Sequence, residues 1–292
     1  MIDPALVARV ADLELVARIV VEGTLSGLHR SPFHGYSAEF SQYRRYRPGD
    51  DLKYLDWKLA ARTGRLYTKQ FRETTNLTAT IVVDSSASMD FPAKARERSV
   101  PDRPTKFQYA VTLAAALAYL VSSQGDAVGL ASRDVFVGAR GGRRHLQSLL
   151  TALSALEPSG EFAADAVIRQ ASDRMRGCGL LVVISDLYDE EERTFSALRH
   201  AARRGHEVAI LQTVSRDEIA FPYARDLEFV DLESGRRVAV DAAAARRQYT
   251  DNMAAFLERW RSRAGREGMQ YALAVTDTPP DRALRGFLLA RA

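Results

Sequence analysis

Residues 79–89 read Ala79-Thr80-Ile81-Val82-Val83-Asp84-Ser85-Ser86-Ala87-Ser88-Met89. The first five are apolar or β-branched and carry no charge. A strand covered on both faces reads this way, as a continuous apolar run rather than an alternating one. A second such run, Leu180-Leu181-Val182-Val183-Ile184-Ser185-Asp186, also closes on an aspartate, and a third spans Glu207 to Val214. Helical patterns separate these runs: Lys106 to Ser123, Leu146 to Leu156, Ala163 to Met175, and Glu191 to Arg204 before Gly205. A long helix from Asp241 to Arg263 leads to a strand at Gln270 to Val275 and a last helix at Asp281 to Ala290. Val128–Ser132 with Val135–Ala139, and Leu227–Asp231 with Arg237–Val240, read as short hairpins. Strands alternating with helices imply right-handed crossovers and a mostly parallel sheet. The expected class is α/β, an open sheet with helices on both faces.

Upstream the pattern differs. Asp3-Pro4 is a helix-start signal, and Leu6, Val10, Leu13, Ala17 and Val20 follow at helical spacing, ending near Gly23. From His29 to Asn76 aromatics and arginines interleave around the turn Arg47-Pro48-Gly49-Asp50, with strands expected at Glu39–Tyr46 and Leu66–Glu73. The chain is therefore divided into an N-terminal helix and β-rich segment, 1–78, and an α/β domain, 79–292.

Composition narrows the function classes. With 46% hydrophobic and 27% charged residues among 292, the chain is globular rather than collagen-like, disordered or a disulfide scaffold. Cys178 is the sole cysteine, so neither an internal disulfide nor a thiolate metal cage can form. The five histidines show no zinc-ligand spacing. Five of the 41 basic residues are lysines and the other 36 arginines, set against 37 acidic residues. Most arginines can thus be matched internally, and nucleic-acid binding is allowed by the charge but not required. The longest apolar run, Val111 to Val121, is eleven residues, too short to cross a bilayer. Charges interrupt the first 23 residues too regularly for a signal peptide. A cytoplasmic protein without membrane insertion is expected.

In open α/β sheets ligands bind beyond the carboxyl ends of the strands. There, Asp84, Ser86 and Ser88 form a D-x-S-x-S pattern that offers a carboxylate and two hydroxyls to one point. Asp186 supplies a second carboxylate from another strand end. Hard oxygen donors with room for water suit Mg²⁺. The plainer alternative is that these residues are turn formers or helix caps. A basic loop from Asp90 to Thr105 follows directly, with Lys94, Arg96, Arg98 and Arg103. No G-x-S-x-G elbow, phosphate loop or dinucleotide fingerprint occurs.

Asp84 to Met89 with Asp186, in this strand–helix order, resembles a von Willebrand factor A domain with its metal-ion-dependent adhesion site. Gly35-x-x-x-Glu39-Phe40, Arg44-x-Tyr46-Arg47-Pro48-Gly49-Asp50-Asp51, Leu55-Asp56-Trp57-Lys58 and Tyr67-x-Lys69-x-Phe71 are similar to the signature of one bacterial family. This is the domain-of-unknown-function-58 family, whose members are von Willebrand A-like and are commonly encoded beside MoxR-type AAA+ ATPases. Gly268-Met269-Gln270-Tyr271, then Thr276-Asp277 and a helix ending at Arg291, fit as well. The likeness covers roughly residues 30 to 291. It implies a von Willebrand A-like, Rossmann-like sheet, a site of Asp84, Ser86, Ser88 and Asp186 for Mg²⁺ or Mn²⁺, and a MoxR-type ATPase or its client as partner. Where the family pattern places a threonine, the segment Ser159-Gly160-Glu161-Phe162 puts Glu161. That residue either adds a carboxylate to the cation or fills the position a partner's acid would take; in a shifted register, Ser159 is the hydroxyl donor.

Arg44, Arg45, Arg47, Asp50, Asp51 and Asp56 also have two readings. Arg44, Arg47, Asp50 and Asp51 either grip an acidic partner, or the pairs are a structural network holding the N-terminal segment. Trp57 reads as core. The leading function is a non-enzymatic interaction module. Against it stands a Mg²⁺-dependent phosphohydrolase using Asp84 and Asp186, disfavoured because no lysine or general acid sits at recognisable spacing. Nucleic-acid binding through the arginines ranks last.

Overall fold

The computed structural model describes residues 4–26, 38–47, 50–73, 77–92, 103–188 and 191–290. Asp3, Gly35, Pro48, Gly49, Arg291 and most of the basic loop (93–102) lie outside the described residues. Two compact units are present, one of 1–32 with 77–292 and one of 33–76. This differs from a division after residue 78, because helix α1 (Pro4–Leu25) groups with the larger unit.

In the smaller unit, β1 (Ala38–Arg45) and β2 (Tyr67–Glu73) pair antiparallel around helix α2 (Trp57–Thr63). The Asp56 carboxylate caps α2 by accepting from the Lys58 and Leu59 backbone N–H groups, and Gly64 ends it at φ +66°. Trp57, expected in the core, is 64% exposed. It is the first residue of a short helix whose described residues are none of them buried.

The larger unit is built on six strands: β3 (Thr78–Val83), β4 (Ala127–Ala131), β5 (Phe136–Arg140), β6 (Leu180–Ser185), β7 (Glu207–Val214) and β10 (Gln270–Val275). Their order is β10-β7-β6-β3-β4-β5, parallel throughout except for the β4–β5 edge pair. Burial explains the apolar runs: β6 is buried at every position and β3 at all but its first. Helices α3 (Lys106–Ser123), α4 (Arg143–Ala155) and α9 (Pro280–Leu289) pack on one face, with α1 laid across them. On the other face α5 (Ala164–Arg174), α6 (Glu191–Arg203) and α8 (Ala242–Arg266) enclose a core that includes Leu181, Val183, Leu198, Ile210 and Trp260. A short helix, α7 (Arg216–Ala220), follows β7, and β8 (Leu227–Val230) and β9 (Arg237–Val240) form a separate hairpin. The mostly parallel sheet, covered on both faces and closed by one antiparallel edge strand, is the expected α/β class.

Strand order reverses between β3 and β6. The chain leaves β3 toward β4 on one side and β6 toward β7 on the other. The crevice opened by such a reversal is where this class of sheet binds ligands.

Candidate functional site

Asp84 and Asp186 stand side by side at that crevice. The β3–β6 register runs Ala79 opposite Leu180 to Val83 opposite Ile184, and the Asp84 N–H continues it by donating to the Ile184 carbonyl at 3.0 Å. After the strand the chain turns tightly. The Ser86 N–H donates to Asp84 Oδ1 at 2.8 Å, and a single 3-10 turn, Ala87–Asp90, follows. The Ser185 hydroxyl donates to Asp84 Oδ2 at 2.6 Å.

From there a chain of oxygens runs outward. Ser86 Oγ and Ser88 Oγ are 2.8 Å apart, and the Ser88 hydroxyl donates to Asp186 Oδ2 at 3.0 Å. The Tyr188 N–H donates to Asp186 Oδ1 at 3.2 Å, and the Gln212 side chain holds the Asp186 carbonyl at 2.9 Å. Asp84, Ser86, Ser88 and Asp186 are therefore brought together, as expected.

Glu161 is not drawn into this chain of contacts. Its segment borders the site through backbone: the Ala87 N–H donates to the Gly160 carbonyl at 2.8 Å and the Ser159 N–H to the Ser85 carbonyl at 3.0 Å. The Glu161 side chain is exposed, and Arg133 donates to its carbonyl at 3.1 Å. The Ser159 hydroxyl accepts from Arg133 at 2.8 Å. Among the described residues no three acidic, histidine or cysteine side chains group closely enough to cage a metal ion. The donor set is two carboxylates with two hydroxyls.

Sequence spacing shows no lysine for the aspartates, and the fold brings one to them. Lys106, the first residue of α3, is 1% exposed, and its ammonium donates at 2.7 Å to both Asp186 Oδ2 and Glu218 Oε1. Glu218 in turn accepts from the Ser215 N–H at 2.7 Å within a capping box on α7. Thr105 and Gln108 form a second capping box, which fixes the start of α3 and so aims Lys106. That T-x-x-Q box is readable in sequence; the meeting of positions 106, 186 and 218 is not.

The charges do not balance. Burial and the Asp186 charge push Asp84 up to about 7, although Ser185 and Ser86 donate to it. Burial also raises Glu218, against the pull of Lys106. Burial would lower Lys106, yet the Asp186 and Glu218 charges beside it hold it above its ordinary value. Two carboxylates, Asp186 and Glu218, thus share one ammonium, and Asp84 lies beside Asp186 without a basic partner of its own in this cluster. The oxygens of Asp84, Ser86, Ser88 and Asp186 are of the kind a hard divalent cation takes, with the Lys106 ammonium already on Asp186 Oδ2.

The arginine–aspartate cluster is mostly consumed locally. Arg44 donates to Asp50 at 2.7 Å, and Asp50 also accepts the Arg47 N–H at 2.9 Å. The Arg47 N–H, then Arg44, hold Asp50 below the usual carboxylate range. Asp51 pairs with Lys53 at 3.1 Å, and Asp56 caps α2. The Arg47 side chain is exposed.

The family model described as "Protein of unknown function DUF58" matches residues 42–258. "Uncharacterized protein Rv1480" of Mycobacterium tuberculosis (strain H37Rv) is 32% identical over 250 residues, covering 82% of this chain and 76% of that protein. "Uncharacterized protein YeaD" of Bacillus subtilis is 27% identical over 150 residues, covering 50% and 33% respectively. Among solved structures, an aerotolerance-related membrane protein from Bacteroides fragilis aligns at 18% identity and a TM-score of 0.47, over 74% of this chain and 98% of that one. The SpRpn10 VWA domain aligns at 11% identity and a TM-score of 0.40, over 72% and 94%. Among the described residues no helix is long and apolar enough to cross a membrane.

Proposed function

The chain belongs to the DUF58 family, and we propose that it is a non-enzymatic protein-interaction module docking through the Asp84–Ser86–Ser88–Asp186 face. Carrying this reading is the convergence of two hydroxyls and two strand-end carboxylates at the sheet's reversal point, with negative charge in excess. Mg²⁺ or Mn²⁺ held by these oxygens would supply a Lewis-acidic position for a partner's carboxylate. Asp84 and Ser185 set the strand-end geometry, Ser86 and Ser88 offer hydroxyl oxygens, and Lys106 neutralises part of the acid cluster. The partner we assign is a MoxR-type AAA+ ATPase or its client, on the strength of the family resemblance alone. Exposed Arg47 offers such a partner a second, cationic contact. A cytoplasmic setting suits the free, exposed Cys178 thiol, which persists most readily in a reducing compartment.

Calorimetric titration with Mn²⁺ tests the site: wild type is expected to bind and Asp84→Ala to lose binding. Absence of heat with wild type would remove the cation from the proposal. Co-purification with an adjacently encoded AAA+ ATPase tests the partner.

Lys106 favours a second reading, a Mg²⁺-dependent phosphohydrolase, because a lysine beside paired aspartates is what that chemistry uses. Its ammonium, however, is clamped between two carboxylates and 1% exposed, so it is poorly placed to meet a phosphoryl group. Turnover of generic phosphomonoesters that disappears in Asp84→Asn would establish this reading instead.

A further inference from the structure

Helix α2 displays side chains that do nothing for its own stability. Trp57, its first residue, is 64% exposed, so a large apolar ring is left in water that burial against another surface would release. Lys58 and Arg62 stand one turn apart on one face, and the helix contains no acid. Like charges at that spacing destabilise a helix. Lys58, Arg62 and Arg65 are exposed and form no ion pair among the described residues. The helix is nevertheless fixed at both ends. The Asp56 carboxylate accepts from the Lys58 and Leu59 N–H groups at 3.0 and 2.9 Å, and the Gly64 N–H donates to the Ala60 carbonyl at 2.9 Å. Indole and cations are therefore presented from a capped, preformed turn.

Charge names the partner. The unit of residues 33–76 holds nine basic and five acidic residues. Lys58 and Arg62 are separated by about 6 Å along the helix axis, the interval of carboxylates four residues apart on a facing helix. A single nucleic-acid strand fits less well, because it stacks successive bases on several rings. Of the three exposed rings among the described residues of this unit, two are engaged. Tyr43 meets Tyr67 edge-on at 6.4 Å, and the Lys53 ammonium lies 4.6 Å from the centre of the Tyr54 ring. Asp56, adjacent to Trp57 in the chain, adds a negative charge that repels phosphate.

We propose that α2 is a docking surface for an acidic amphipathic helix of a protein partner. Trp57 is the apolar anchor, and Lys58 and Arg62 receive carboxylates one helical turn apart. The surface belongs to the smaller unit and needs no cation, so it can fail without the Asp84–Asp186 reading failing.

The chain holds two tryptophans and Trp260 is fully buried, so acrylamide quenching reports on Trp57. The probe is a synthetic acidic peptide of the repeat Leu-Glu-Glu-Leu-Leu-Glu-Glu, and oligothymidylate is the nucleic-acid comparison. Full-length wild type, Trp57→Ala and the double variant Lys58→Glu with Arg62→Glu are compared at low and high salt. An acid in the first turn suits a helix, so Lys58→Glu leaves α2 intact, and unchanged Trp260 emission shows that Trp57→Ala is folded. In free wild type acrylamide is expected to quench Trp57, and the peptide to shield it. Peptide anisotropy should show binding about tenfold weaker in Trp57→Ala. The double variant should bind at least about tenfold more weakly at low salt and lose most of the salt dependence. Trp57 unquenched in the free protein, no peptide binding at low salt, or equal binding by wild type and both variants each overturns the proposal. Stronger shielding by oligothymidylate than by the peptide overturns it in favour of a nucleic acid. Mn²⁺ titration of the Asp84 site is read separately in every case.

Discussion

Lys106 sets the charge balance of the buried cluster. Removing one member of a buried ion pair leaves the other charge uncompensated, at a cost of about 3–5 kcal/mol. Lys106→Met is therefore expected to lower unfolding stability by that amount in urea denaturation. Adding Asp186→Asn to the same protein should recover part of the loss; a double variant no more stable than the single would show that the pair is not the cause. His206 gives a pH-dependent counterpart. It is buried, with Nε2 3.3 Å from the Ser172 carbonyl and Nδ1 without a partner among the described residues, and burial holds it below its ordinary value of 6.5. A neutral buried histidine stabilises fully above that value, and the contribution is lost as pH falls toward the depressed folded value. Wild type should lose up to about 1.4 kcal/mol per pH unit below about pH 6.5 from this group. His206→Gln should lack that slope, and parallel denaturation midpoints for the two proteins from about pH 7.5 to 5.5 would refute the assignment. At this scale the sequence revealed the aspartates and serines, because a D-x-S-x-S after a buried strand is a local pattern. Lys106 and Glu218 are not legible there, because each joins the cluster from a distant element.

Register between β3 and β6 is the element-scale feature on which the site depends, since it sets Asp84 beside Ser185 and Asp186. Gly179, just before β6, protects it. A Cβ there would stand 2.4 Å from the Thr78 carbonyl oxygen and 2.9 Å from the Met175 methyl. Gly179→Ala must push these strands apart, with an expected loss of roughly 1–3 kcal/mol in thermal or urea unfolding. An unchanged midpoint would mean that the backbone relaxes at no cost. Helices α2 and α7 carry no periodic signal in the sequence, for a common reason. They are seven and five residues long, with no buried residues of their own to generate a periodic stripe. Both are specified by caps instead: Asp56 for α2, and Ser215 with Glu218 for α7. Trp57 is exposed for the same reason: its size suggests core, but a short surface helix leaves it in solvent.

Across the whole molecule, charge is distributed unequally between the two units. Residues 33–76 contain nine basic and five acidic residues, which accounts for the chain's entire net charge of +4. Long-range attraction to an acidic partner therefore centres on the smaller unit, while the larger is neutral overall and negative at its site. Helix α1 belongs to the larger unit's core. Ala17, Val20, Val21 and Thr24 are buried, and Arg285 of α9 donates to the Gly23 carbonyl at 2.6 Å. Deleting residues 1–26 should cost roughly 4–6 kcal/mol, at about 1.5–3 kcal/mol for each buried valine plus the smaller groups. A truncated protein with the wild-type urea midpoint would contradict this placement.

Sequence alone determined the α/β class, the alternation of strands and helices, and the two strand ends that carry aspartates. Those properties are local: continuous apolar runs, helical periodicity and turn chemistry lie within a few residues of one another. Tertiary structure decided the strand order that makes β3 and β6 neighbours, the assignment of α1, and the side chains that meet the aspartates. Such properties depend on which distant elements share a boundary, and nothing local encodes that 106, 186 and 218 will gather around one buried point.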